Sequence, residues 1–400
     1  MLNTLRQNPW VSVAFCCLMQ AFTTGIGSYG FALFVVPWMQ EFAVERSAMM
    51  LAITGASLVA MIISPVCGWL LDRFDNKILI IASLSIFIGA LVSIAVAPNY
   101  QLVIVLFVLL IPVGLVLAGP LMAYSLAARK ITQRRGMAMG VTALGSSIGG
   151  LIMPFVISGL LTSFSWRSTF LVLAVIGVVL VILPALILLG AERPPKKEPD
   201  SVSPGLVNKP SIFMLGFCFM VPAMLFVGVL HNLGAFAMDI GVSQGRVAFI
   251  ISSSSVTMAI GKLSAGYLSD RLNHVLIYLS LVFIMAIAMV LLALSDSIVR
   301  LILGVGLLAL VMGGVAPLIA NMISRHWPLE SFGRVMGIVQ AAAGISGLGP
   351  LMAAMIRDTS GGYPAAFMWM AALLPPAALC FIWVAARNSQ PVGEAAPAGG

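Results

Sequence analysis

The chain has 400 residues, of which 61% are hydrophobic and only 8% charged; a soluble domain carries roughly 25% charged residues to cover its surface. Water is thereby excluded as the main solvent, and a chain of this length holds about twelve membrane helices at about 20 apolar residues per span. A net charge of +8 would also suit nucleic acid, but the basic residues sit between apolar runs and form no patch interleaved with aromatics, so the implied partner is a lipid bilayer and not nucleic acid.

The head of the chain, Met1–Pro9, carries Arg6 and leads into an apolar stretch that runs past Val35. That stretch is too long for a signal-peptide core and shows no small-residue cleavage site, so it reads as the first span. Apolar runs broken by charge, Pro and Gly predict helices at 10–36, 47–71, 78–97, 101–128, 136–162, 167–190, 211–236, 247–269, 275–295, 300–324, 332–356 and 364–386. The one long polar stretch, 191–210, is rich in Pro, Glu and Lys and cannot bury enough apolar surface to fold. The expected organisation is an N-terminal six-helix bundle (1–190), a cytoplasmic linker (191–210), a C-terminal six-helix bundle (211–387) and a disordered cytoplasmic tail (388–400). All five cysteines lie inside apolar runs, where they act as small hydrophobes and not as a disulfide or metal framework. Most of the 21 Lys and Arg residues fall on the side of the two chain ends, which places both termini in the cytoplasm of a multi-pass protein of the cell inner membrane.

The two halves echo each other. Gly68-Trp-Leu-Leu-Asp72-Arg73 returns as Gly266-Tyr-Leu-Ser-Asp270-Arg271, 198 residues later. Met139-Gly140 returns as Met336-Gly337, and Phe170 after Trp166-Arg167 as Phe367 after Tyr363, each 197 residues later. An internal repeat of this kind predicts two homologous bundles, a substrate path between them near the bilayer midplane, and transport by rocking of one bundle on the other. In the repeated turns Gly68 and Gly266 permit close helix approach, while Asp72 and Asp270 can pair with an arginine such as Arg73 or Arg271 or face a helix N-terminus.

On these turns the chain resembles the major facilitator superfamily, whose signature loop after helix 2 and its copy after helix 8 read much like residues 68–77 and 266–271. The resemblance covers all twelve helices and implies an all-α membrane protein of two pseudo-symmetric six-helix bundles, with Asp72/Arg73 and Asp270/Arg271 gating the inner face. The sequence departs from the family at Asp75, where a glycine is usual. Within the superfamily it is similar to the bacterial monocarboxylate and oxalate/formate porter group. The passages that carry this are Gly27-Ser-Tyr29 with Pro37, Glu41-Phe42 with Ser47, Arg134 through Gly140, His231 with Asp239 and Gly241, Gly261-Lys262, and Phe332 through Gly337 with Gly349-Pro350.

Lys262 is the residue on which chemistry is expected. It stands eight residues before Asp270, about 12 Å along a helix from the inner turn. A bare charge at that depth costs at least about 2.5 kcal/mol, so it tends to face a cavity and mark a substrate pathway; the competing reading is a lysine whose ammonium snorkels back to the interface. In the porter group this position is typically an arginine that meets the substrate carboxylate, a role Lys262 would fill as a point charge. His231 could hydrogen-bond a carboxylate or carry a proton, and Asn232, Tyr29, Tyr124, Asn321 and Gln340 are polar handles at cavity-compatible depths that could equally be interhelical glue. All thirteen acidic residues fall in loops or at helix ends, so proton coupling would rest on His231, Asp239, Lys262 or the substrate's own carboxyl group, and exchange of one anion for another needs no titrating residue. The mammalian monocarboxylate carriers have an Asp one turn before the helix 8 arginine; that place is Met258 here.

The glycine-rich stretches at 145–150 and 344–350 lack the lysine of a phosphate loop and read as close packing and hinges. No metal cluster, catalytic constellation or cofactor site is expected. The reading is a secondary transporter of a small organic anion, a monocarboxylate, working as a monomer by proton symport or anion exchange. Its rivals are an efflux porter for drugs or metabolites and, from another class, a non-transporting membrane sensor.

Overall fold

A computed structural model of the chain describes residues 8–44, 46–190, 210–242 and 244–387. The expected tail at 388–400 and all of the expected linker except Pro210 lie outside the described residues. The described chain is all-α. The first bundle contains α1 (9–42), α2 (Arg46–Leu71), α3 (Asn76–Val96), α4 (Tyr100–Lys130), α5 (Arg135–Ser163) and α6 (Trp166–Leu188). The second contains α7 (Pro210–Asp239), α8 (Gln244–Ser269), α9 (His274–Ala293), α10 (Ile298–His326), α11 (Leu329–Ser360) and α12 (Tyr363–Arg387). Among the described residues eleven of these are long and apolar enough to cross a membrane; α8, 26 residues long, is the polar exception because it carries Lys262 and four consecutive serines. Only helices satisfy every backbone group of an open-ended segment within itself, which is why a lipid-facing chain of this kind takes no other form.

Helix ends follow local chemistry. Asn8 accepts from the Trp10 amide to cap α1, Asn99 from that of Leu102 to cap α4, and Ser165 from that of Ser168 to cap α6. α1 runs further than expected, to Phe42, with Pro37 inside it. A proline removes one amide donor and need not end the helix; seven residues before Pro37 the helix has just left a π turn at Gly25–Gly30. The departure at Asp75 has a structural explanation. Its carboxylate accepts from the amides of Lys77 and Ile78 and caps α3, and Asn273, 198 residues later, does the same for α9 through the amide of Val275.

The repeat in the sequence is a repeat in packing. α1 lies on α5, α2 on α4, and α3 on α4 and α6; in the second bundle α7 lies on α11, α8 on α10, and α9 on α10 and α12. The echoed aromatics serve equivalent places, with Phe170 stacked on Trp38 at 6.0 Å and Phe367 edge-on to Phe236 at 5.1 Å. Across the bundles α2 packs on α11 and α5 on α8, which brings the four helices of the interface together in two equivalent pairs.

Asp75→Ala is expected to lower stability against thermal unfolding in detergent by about 1 kcal/mol, and Asp75→Gly by only a few tenths, the usual difference between losing a cap and replacing it by glycine.

Candidate functional site

Each inter-bundle pair meets through glycine. A Cβ at Gly68 on α2 would overlap the Gly333 carbonyl oxygen on α11, and one at Gly266 on α8 would meet the Gly136 carbonyl oxygen on α5 at 2.5 Å. That approach lets a carboxylate of one bundle reach the start of a helix in the other. Asp72 accepts from the amides of Gly333 and Arg334 at 2.9 Å each. Asp270 accepts from those of Gly136 and Met137 at 2.8 and 2.9 Å. The helical runs that begin at Phe332 and Arg135 have no side-chain cap of their own, so each acid satisfies orphan donors and meets the positive end of a helix dipole.

Guanidinium groups complete both latches. Arg129 lies 3.4 Å and Arg334 3.9 Å from Asp72, whose side chain is fully buried; Arg325 lies 3.2 Å from Asp270. Asn321 belongs here and not to a substrate site. It is buried, and its amide donates to the Ser269 carbonyl and hydroxyl. The arginines inside the repeated motifs take no part, because Arg73 stacks on Trp69 at 4.3 Å and Arg271 on Tyr267 at 4.1 Å. Their partners in the expected pairs are already held by the arginines of α4, α10 and α11.

Above the latches the bundles enclose a cavity of 560 Å³ that reaches Lys262, Tyr29, Tyr124 and Gln340. Lys262 is buried, and its ammonium donates to the hydroxyls of Ser146 and Ser147 on α5 at 2.7 Å each. An ammonium has three donors; no carboxylate lies within ion-pairing distance of this one, and it is the only charged side chain lining the cavity among the described residues. The remaining walls are mainly apolar, with Phe219, Phe226, Met258 and Met312 prominent.

Other candidates lie elsewhere. His231 lines a neighbouring 560 Å³ cleft between α2, α7 and α11 and bonds the Val227 carbonyl of its own helix at 3.0 Å. Asn232 donates to the carbonyls of Gly228 and Pro350 and accepts from the Tyr363 hydroxyl, so it ties α7 to α11 and α12. Asp239 is exposed at the end of α7, 3.8 Å from Arg357. Sequence reasoning missed Gln20, a buried cavity residue whose Nε2 donates to the Thr142 carbonyl while its Oε1 has no partner among the described residues. It also read Ser146 and Ser147 only as packing; their signal was two adjacent hydroxyls in an otherwise apolar helix.

Twelve helices among the described residues, in two pseudo-symmetric bundles latched together on one face and enclosing a mid-depth cavity, form the two-bundle architecture of a membrane transporter. The sequence model of the Major Facilitator Superfamily matches residues 17–243 and 211–399, and the chain belongs to that family, a family of small-molecule transporters and not of enzymes. It is similar to an MFS-type transporter of Aspergillus fumigatus, 26% identical over 61% of this chain and 58% of that one, so it spans less than two thirds of that relative. It is also similar to the fujikurins efflux protein of Gibberella fujikuroi (26% identical, 75% of this chain, 66% of that one) and to monocarboxylate transporter 13 of Rattus norvegicus (23%, 62% and 59%). Among solved structures, the proton:xylose symporter XylE superposes with a TM-score of 0.75 at 14% identity, covering 93% of this chain and 94% of that one, and shares the fold.

Burial in the closed interface pushes the Asp72 carboxyl up to about 6, against the opposing pull of the Arg334 and Gly333 amides and the Arg129 and Arg334 guanidinium groups. A hydrated Asp72 on an opened face would titrate near the ordinary carboxylate value, so the closed state binds the proton more tightly and is favoured by acid. The Asp72 contribution to spin-label distances across the latch face should therefore be a closed population that falls as pH rises from about 4 to 6 and levels off above, and Asp72→Asn should weaken that dependence.

Proposed function

We propose that this protein is a secondary transporter that moves a small organic anion, a monocarboxylate, by alternating access. The observation that carries this reading is Lys262, a buried ammonium with no carboxylate partner on the wall of the cavity. Two serine hydroxyls orient it and leave one donor for a carboxylate, and an anion entering the cavity supplies the missing counter-charge. With both termini in the cytoplasm of the cell inner membrane, as the distribution of Lys and Arg favours, the latched face is the cytoplasmic one. The two bundles lie in one chain, and the protein works as a monomer.

The cavity has no acidic lining residue among those described; Asp239 pairs with Arg357 at the exposed end of α7, and His231 lines the adjoining cleft, which shares Ser57, Val227, Gly344 and Gly347 with the cavity. Coupling then rests on His231 or Lys262, on a proton carried with the substrate's own carboxyl group, or on exchange for a second anion. Efflux of a larger metabolite is the second reading, favoured by the apolar cavity wall and by a relative named as an efflux protein.

Uptake of labelled formate, acetate, lactate, pyruvate and oxalate into proteoliposomes, with and without an inward proton gradient and with unlabelled anion inside, distinguishes these. Gradient-driven uptake means symport, and uptake that needs only internal anion means exchange. Lys262→Ala should weaken binding roughly tenfold to a hundredfold, the loss of a charge-assisted hydrogen bond of about 1.5–3 kcal/mol, while Lys262→Arg retains activity. Normal transport by Lys262→Ala would sink the anion assignment and leave efflux.

A further inference from the structure

We infer that the anion this cavity accepts is a monocarboxylate with an apolar tail, aryl or short alkyl, whose carboxylate meets Lys262 while the tail enters a side pocket between α1, α2 and α4; this rests on the anion reading above. The side pocket measures 230 Å³. Ser28, Ser57, Ala60 and Leu115 line both it and the main cavity, so the two spaces adjoin at these residues. Beyond the junction its walls are Phe31, Ala56, Phe107 and Ile111, and the two phenyl rings lie with centroids 4.7 Å apart. The Ser57 hydroxyl is occupied by the Ile53 carbonyl of its own helix. A dry apolar cavity of about 150 Å³ admits benzene, so this one has room for a phenyl group or an alkyl chain of several carbons.

Charge distribution sets the rest of the specificity. No charged side chain lines the side pocket among the described residues, and a second carboxylate placed there would be desolvated without a counter-ion. Dicarboxylates are therefore disfavoured, and acids of one to three carbons leave the pocket unused. The geometry also divides the ligand between the bundles, with the tail on α1, α2 and α4 and the carboxylate on α8. A ligand held by both bundles differs in affinity between the open and closed arrangements, which is the condition for driving their interconversion.

The test is competition against labelled hexanoate bound to the purified, reconstituted protein, with Lys262→Ala as the blank. Competitors are acetate, butyrate, hexanoate, phenylacetate and the dicarboxylate adipate, each measured on the wild type, Ala56→Leu and Ala56→Phe. The expected affinity rises about fourfold per methylene until the pocket fills, phenylacetate exceeds acetate by at least tenfold, and adipate falls at least tenfold below hexanoate. Filling the pocket collapses the hexanoate-to-acetate ratio towards one in Ala56→Phe and part of the way in Ala56→Leu, so the smaller substitution decides if the larger fails to fold. Equal affinities along the series would overturn the tail pocket and leave the anion reading standing, and so would a length dependence unchanged in both Ala56 variants. Hexanoate binding that is the same in the wild type and Lys262→Ala would overturn the anion reading itself.

Discussion

Two carboxylates, each crossing from one bundle to cap a helix of the other, hold one face of the molecule shut, and the position and depth of the cavity follow from them. Asp72 reaches the start of a helix whose amides lie 261 residues further along the chain, and Asp270 reaches one 134 residues back. Neither capped helix supplies its own cap, so opening this face leaves orphan amides on both sides of the interface at once. The latches close this face through polar groups, caps and amides that water is also able to satisfy.

Lys262 stands on α8, eight residues before the Asp270 latch that follows the end of that helix. Its backbone carbonyl lies where α8 packs against Gly140 of α5, and its ammonium bonds two serines nearly two turns further along α5. The side pocket lies against the π turn of α1, where Gly27 and Ser28 form part of its wall; such bulges often accompany functional sites in helices.

Family membership fixes the architecture and the transporter class. The relatives and the fold do not fix what is carried, because transporters of one fold take different solutes through the side chains that line the cavity. Among the described residues those side chains are one cation, a few hydroxyls and amides, and a largely apolar wall.

Much of this was legible in the residues alone. Long apolar runs mark spans locally, so eleven of the twelve helices were bounded to within a few residues, and the end of α1 was misplaced only because a proline was taken as a stop. The repeat at an offset of 197 or 198 residues gave the two bundles, and an isolated lysine eight residues from a turn gave the one charge at cavity depth. What the sequence could not give was the rotational phase of polar residues on helices that are apolar all round. Asn321 and Asn232 looked as suitable as Tyr124 or Gln340, yet tertiary packing turned the first two into interhelical ties and the last two towards the cavity. The partners of Asp72 and Asp270 were equally hidden, since a cap supplied from the other bundle depends on an approach of helices that no local pattern encodes. Length and hydropathy determined how many times the chain crosses the bilayer; only the packing of one bundle on the other decided which polar groups face each other across the space between them.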